Sequence, residues 1–155
     1  KAGAVDEAES TARSALDLAQ ALDASYSQGI LWFHLAIVHL HREAWDLAEA
    51  AADHAVRLLP PSEAHTSACT VQAMALAAMG LVPPALAALP DDADPMAARA
   101  VRTVLALAGG SRIEPPSPVH DGSSARRVMV RVARRLANRA ASVSTGPGER
   151  HLDTA

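Results

Sequence analysis

The sequence predicts an all-α protein, a short stack of antiparallel helical hairpins followed by a separate basic helix. Three observations carry that expectation. Half of the 155 residues are apolar, yet only Tyr26, Trp32, Phe33 and Trp45 are aromatic, and alanine supplies much of the remainder. Alanine is the strongest helix former and its small side chain lets helices approach closely, whereas a β-sandwich draws on valine, threonine and aromatics. Apolar residues recur at helical spacing along most of the chain, and Pro60-Pro61, Gly80 and Gly109-Gly110 cut that pattern into separate helices. A chain of this length can bury one sizeable core.

The first helix is expected over Asp6–Leu22, with Val5, Ala8, Ala12, Ala15, Leu16, Ala19 and Leu22 on one face. Ser25 followed by Gln28 has capping-box spacing and opens a second helix running to about His41. Trp32, Leu35, Ala36 and His39 lie on one side of it, and Ile30, Phe33, Ile37, Leu40 and His41 on another, so it is sandwiched between neighbours. A third helix covers Ala44–Leu59, stops at Pro60-Pro61 and places Asp53 and Arg57 at a favourable i,i+4 spacing. Ser62 caps a fourth, which ends before Gly80, a residue suited to the left-handed position beyond a helix. Pro83–Leu89 forms a short fifth helix with its prolines in the first turn. Asp94 caps a sixth that starts at Pro95 and ends at Gly109-Gly110. Residues 1–110 therefore read as a helical array, 111–122 as a proline-rich linker, 123–141 as a basic helix and 142–155 as a disordered tail.

Charge separates the same segments. Residues 1–110 carry 6 basic and 13 acidic side chains, a net of −7, and residues 111–155 carry 8 basic and 4 acidic, a net of +4. An acidic body thus precedes a basic end. The uncharged run Ala64–Pro90 invites a membrane reading, but Gly80 and Pro83-Pro84 break it short of the roughly 20 apolar residues a span needs. Two buried helices of a soluble protein account for it better. The lone Cys69 excludes an internal disulfide and fits a small packed residue in a reducing, cytoplasmic setting. No secretory leader opens the chain. The absence of an initiating Met, and an opening that reads as the middle of a repeat, predict a piece of a longer protein.

Three segments share a pattern. Gly3-x4-Ala8-x3-Ala12-x2-Ala15, Glu43-x4-Ala48-x3-Ala52-x2-Ala55 and Gly80-x4-Ala85-x3-Leu89 start 40 and 37 residues apart. Trp32-x2-Leu35-Ala36-x2-His39 precedes the second, and Pro60 closes it. This pattern resembles the tetratricopeptide repeat, in full over about 29–62, as half a repeat at the start and weakly over 64–108. His39 stands where that family prefers Tyr, Glu43 where it prefers Gly, and the spacing exceeds the family's 34 residues. The looser spacing is similar to repeats found in large bacterial regulators. The resemblance implies a short α-solenoid whose first helices line a peptide-binding inner face. Here that groove would be Ile30, Phe33, Ile37, Leu40 and His41, then Ser67, Thr70, Met74, Ala77 and Ala78. The Lys, Arg and Asn of family members that clamp a terminal carboxylate are missing, so an apolar helix or extended peptide is the expected ligand. The other reading of Phe33 and Ile37, and the favoured one, is core packed against a preceding repeat.

Seven histidines suggest a metal, but no His-x3-His pair sets two rings on adjacent turns, and the His39–Glu43 pair alone is not a site. Asp91-Asp92-x-Asp94 lacks the glycine and closing glutamate of a cation loop and reads as a turn and cap. No phosphate loop, nucleophile elbow or Cys–His arrangement appears. No catalytic, cofactor or metal residues are expected, and the chain reads as a binding protein rather than an enzyme.

The basic helix is the sharpest feature left. Arg126, Arg127, Arg131, Arg134, Arg135 and Arg139 fall within an acid-free stretch opposite a stripe of Val128, Met129, Val132, Ala133, Leu136 and Ala140. Such a helix could contact nucleic-acid phosphates through Arg127, Arg131, Arg134 and Arg135, or lie on an anionic membrane. It could also close the array, covering the last core face while its arginines meet the acidic body. The expected function is a protein-interaction scaffold, the sensing or regulatory array of a larger bacterial protein, binding a protein, a peptide or adjoining domains of its own chain. The alternative is a nucleic-acid-binding adaptor.

Overall fold

The computed structural model describes residues 2–93, 95–109 and 124–144. Among them are seven helices and no strand: α1 (Ala2–Ala21), α2 (Ser25–Arg42), α3 (Trp45–Leu58), α4 (Glu63–Ala78), α5 (Val82–Ala88), α6 (Pro95–Ala108) and α7 (Ser124–Ser144). Each of α1 to α4 packs on the next, and α4 also carries α5 and α6. Connections of two or three residues turn α1, α2 and α3 back on one another as hairpins. A strictly linear stack would leave α7 touching α6 alone. Instead α7 packs along α6 and returns to both α2 and α4.

The hairpin turns follow one plan. Asp23, Glu43 and Gly80 all adopt left-handed backbone, at φ 51°, 61° and 77°. In each turn that residue's N–H reaches back three residues, to the carbonyls of Gln20, Leu40 and Ala77. The next N–H, of Ala24, Ala44 and Leu81, reaches back five, to Ala19, His39 and Leu76. This is the Schellman closure, which satisfies two carbonyls left over at a helix end. The residue after the left-handed one then occupies the cap position of the following helix in nearly the same conformation each time, near φ −85° and ψ 75°. Glycine adopts the left-handed position freely and Asp tolerates it. Glu43 has neither advantage.

Helix boundaries differ from the sequence expectation where this turn decides them. α1 begins at Ala2 rather than Asp6, as the alanines ahead of Asp6 favour helix. The Ser25–Gln28 capping box does not form, because Ala24 occupies the cap position and no side chain caps α2. Gln28 Nε2 instead donates to the Ala19 carbonyl at 3.2 Å, across the turn. The Ser62 cap does form, accepting from the His65 N–H at 3.3 Å. Asp94, the expected cap of α6, lies outside the described residues, as do the 111–122 linker, Ser123 and residues 145–155 of the expected tail. Residues 142–144, expected in that tail, continue α7.

The core is built from alanine with a few larger residues. Leu35, Leu40, Val71, Met74, Val101 and Val132 are its largest fully buried apolar side chains, set among Ala36, Ala48, Ala52, Ala73, Ala77, Ala85 and Ala133. A second cluster joins Ala55, Leu59 and Ala68, with Ile30, Phe33 and Val56 packed against it. Gly29 marks the closest approach of α2 to α3, since a Cβ there would lie 2.9 Å from Leu59 Cγ. Outside the core, Arg42 ties α2 to α1 by pairing with both Asp6 and Glu9. Arg57 pairs with Asp53 at 2.6 Å, at the expected spacing.

Candidate functional site

The face of α2 and α4 beneath α7 is where the sequence's two candidate sites meet. α7 buries Met129, Val130, Val132, Ala133 and Ala137. Val130 and Ala137 were not on the expected stripe, and Ala140, which was, is exposed. The buried arc is therefore rotated toward Val130. Met129, Val130, Val132 and Ala133 belong to the same apolar cluster as Leu40 of α2 and Met74 of α4.

One edge of this contact is electrostatic. Glu43 follows α2 in its left-handed turn, with a side chain only 13% exposed. Arg135 Nη1 donates to its Oε1 at 2.9 Å, and Arg139 Nη1 to its Oε2 at 2.6 Å. One carboxylate thus receives two arginines from a helix more than ninety residues downstream. A left-handed non-glycine residue costs roughly 1 kcal/mol or more. At this position the side chain gives a reason for bearing that cost.

The groove residues read from the sequence do not form one open wall. Leu40, Thr70 and Met74 are buried in the core, where α2, α4 and α7 pack on one another. The Thr70 hydroxyl donates back to the Thr66 carbonyl at 2.8 Å, which satisfies it inside its own helix. Ile30 and Phe33 pack against the Ala55–Leu59–Ala68 cluster. Ile37 lines a different depression, of about 580 Å³ between α1 and α2, with Leu31, His34 and Val38. His41 is half-buried on the α7 side. Burial, and next the charges of Arg135 and Arg131, hold its imidazole below the usual histidine range. Of the basic-helix residues, Arg135 meets Glu43, Arg127 and Arg131 are exposed, and Arg134 is half-buried. Glu43 is the residue the sequence reading missed as a contact. Its signal was there, a glutamate where a glycine was expected.

A larger cavity, about 910 Å³, opens between the start of α4, the α5–α6 connection and the start of α7. Its polar lining includes Glu63, His65, Thr66, Asp92 and Arg126. The Thr66 hydroxyl donates to Asp92 at 3.3 Å. Cys69 Sγ lies 3.7 Å from His65 Nδ1, but burial pushes its thiol up, away from the thiolate that nucleophilic chemistry needs. No cluster of three metal-ligating side chains occurs among the described residues. None of the described helices is long and apolar enough to cross a membrane.

His39 gives the region a pH dependence. It is buried on the α1–α3 side of α2, near Glu9, Arg13, Arg42 and Asp46, and burial chiefly lowers its pKa. Both His39 and His41 therefore bind protons less readily in the folded chain than in the unfolded one. Stability should be full above about pH 6.5 and fall as pH drops below it. We expect the thermal midpoint to decline between pH 6.5 and 5, and His39→Gln to flatten that decline. Equal slopes in the two proteins would contradict the assignment.

A scan of protein-family models finds no match to this chain, and neither a search of curated proteins nor one of solved structures returns a match. The class is therefore defined by architecture: an all-α stack of helical hairpins with a basic helix folded back onto it.

Proposed function

We propose that this chain is a tetratricopeptide-like protein-interaction scaffold, the sensing or regulatory segment of a larger bacterial regulator. Two of the Schellman turns support the repeat reading, since Glu43 and Gly80 occupy equivalent turn positions one 37-residue period apart. The binding face in this reading is the side of α2 and α4 toward α7, and its ligand is an amphipathic basic helix. The observation that carries it is the seating of α7 itself, packed on α2 and α4 in the core cluster that holds Leu40 and Met74, with two arginines on Glu43. A groove that accepts apolar anchors at helical spacing, flanked by a carboxylate, is a general mode of helix recognition. α7 then acts as a ligand in cis that a partner's helix must displace.

The test uses the full chain with Val132→Asp, which empties the face, and a labelled peptide of the wild-type 124–144 sequence. The peptide should bind the emptied chain and bind the wild-type chain more weakly. Adding Glu43→Lys should cost about tenfold in affinity, the equivalent of two lost ion pairs of at most ~1 kcal/mol each. A peptide that binds neither chain would exclude this face as a helix receptor.

A further inference from the structure

The surface of α7 that faces away from the body carries a different chemistry. At 100° per residue, the buried arc and the Glu43 flank leave one sector, holding Arg127, Arg131, Arg134 and Asn138 within an arc of about 60°. Arg127, Arg131 and Asn138 are exposed and Arg134 is half-buried. None of the three arginines makes an ion pair with a described residue, in contrast to Arg135 and Arg139.

Charge around this stripe is segregated by helix. Among the helices packed on α7, α2 and α6 contain no Asp or Glu and α4 contains only Glu63. α6 adds Arg99 and Arg102, both exposed. The acids of α1 and α3 (Asp6, Glu7, Glu9 and Asp17, then Asp46, Glu49 and Asp53) sit on helices outside the set packed against α7. The net negative charge of the array therefore does not describe the sector that holds the stripe; the acids beside α7 are Glu43, paired with Arg135 and Arg139, and Glu63 and Asp92, which share a cavity with Arg126.

We propose that the Arg127–Arg131–Arg134 stripe binds the phosphate backbone of double-stranded nucleic acid without reading its sequence. Guanidinium groups match phosphate oxygens in bidentate geometry. The stripe runs about 10 Å along α7, a length over which a duplex presents about six phosphates. A membrane fits less well, because an interfacial helix must insert its apolar face and that of α7 is buried in the core. A protein partner fits less well because interface centres are apolar, and no apolar residue interrupts this stripe. A single strand fits less well because the stripe holds no aromatic side chain on which bases could stack.

Fluorescence anisotropy of the full chain with a labelled 20-base-pair DNA of arbitrary sequence tests the assignment. Three neutralised phosphates give a log–log salt slope of about −2.7, so affinity should fall about 40-fold between 50 and 200 mM NaCl. A second duplex of unrelated sequence should bind within about twofold of the first, as expected for backbone contact. Replacing all three arginines with Gln should abolish the salt dependence and weaken binding more than tenfold at 50 mM, with the helical circular dichroism unchanged. If the half-buried Arg134 makes that variant unstable, the exposed pair R127Q/R131Q should still remove about two thirds of the slope. No binding at 50 mM, or an unchanged slope in either variant, overturns the proposal. So does tighter binding to polyglutamate or to phosphatidylserine vesicles than to the duplex, which would reassign the stripe to an acidic protein or to a membrane surface.

Discussion

Val132→Asp is expected to detach α7 while leaving α1 to α6 folded. Val132 is fully buried in the α7 arc, within the same core cluster as Met129 and Ala133. A carboxylate placed there loses its hydration without gaining a partner, at a cost of several kcal/mol. The apolar residues of the arc contribute about 1.5–3 kcal/mol each for the larger side chains, so one buried charge offsets much of what holds the helix down. Once undocked, a 21-residue helix has little to stabilise it in water. The helical signal should fall by about the share that α7 contributes, and trypsin should cut rapidly within Arg126–Arg139. If the variant resists trypsin as the wild type does, α7 does not depend on this contact. If all helicity is lost together, α7 belongs to a single cooperative core and cannot act as a displaceable ligand.

Much of the fold was legible because its signals are local. Ser62 capped α4, Gly80 took the left-handed position after it, and prolines opened α5 and α6 as expected. The Ser25–Gln28 cap failed for a reason that lies two residues upstream. Asp23 turns left-handed, which puts Ala24 in the cap position and makes Ser25 the first residue of the helix. A pair-spacing rule cannot detect which residue the preceding turn selects. The same turn at Glu43 shows the converse, since a residue with no conformational preference for it is kept there and used by its side chain.

The site was only partly legible because periodicity assigns a residue to a face of its own helix and not to a neighbour. Ile30, Ile37, Leu40 and His41 belong to α2, yet the structure divides them among the α3 side, the α1 side and α7. Which of them α7 covers depends on a contact between segments about ninety residues apart, and no spacing within α2 encodes that. Charge gave the better clue. The acid-free stretch in α7 and the isolated Glu43 are visible in the sequence, and their pairing needed only the knowledge that α7 folds back. The arginines divided accordingly, Arg135 and Arg139 to Glu43 and Arg127 and Arg131 to solvent, with Arg134 half-buried.

Gly29→Val is expected to destabilise the whole array by about 3 kcal/mol, mainly by forcing α2 away from α3. Glycine inside a helix is itself a handicap of about 1 kcal/mol relative to alanine, so its presence needs a cause. The cause is the helix crossing, where an added Cβ would stand 2.9 Å from Leu59 Cδ2 and 3.2 Å from Leu58 Cβ. Leu59 cannot swing aside freely, being buried in the cluster that holds Ala55 and Ala68. Gly29→Ala sets the gain in helix propensity against a contact that a shift of Leu59 could partly relieve, and should cost little. Valine adds two branches at Cβ, which have no room on either side of the crossing and lose rotamer freedom in a helix. For a chain of this size the expected loss lowers the melting temperature by about 10 °C. Leu59→Ala in the same chain should restore part of it, so that the double variant is more stable than the two separate losses would give when added. Strict additivity, or a Gly29→Val chain that melts with the wild type, would mean that the α2–α3 approach is looser than the Gly29 contact implies.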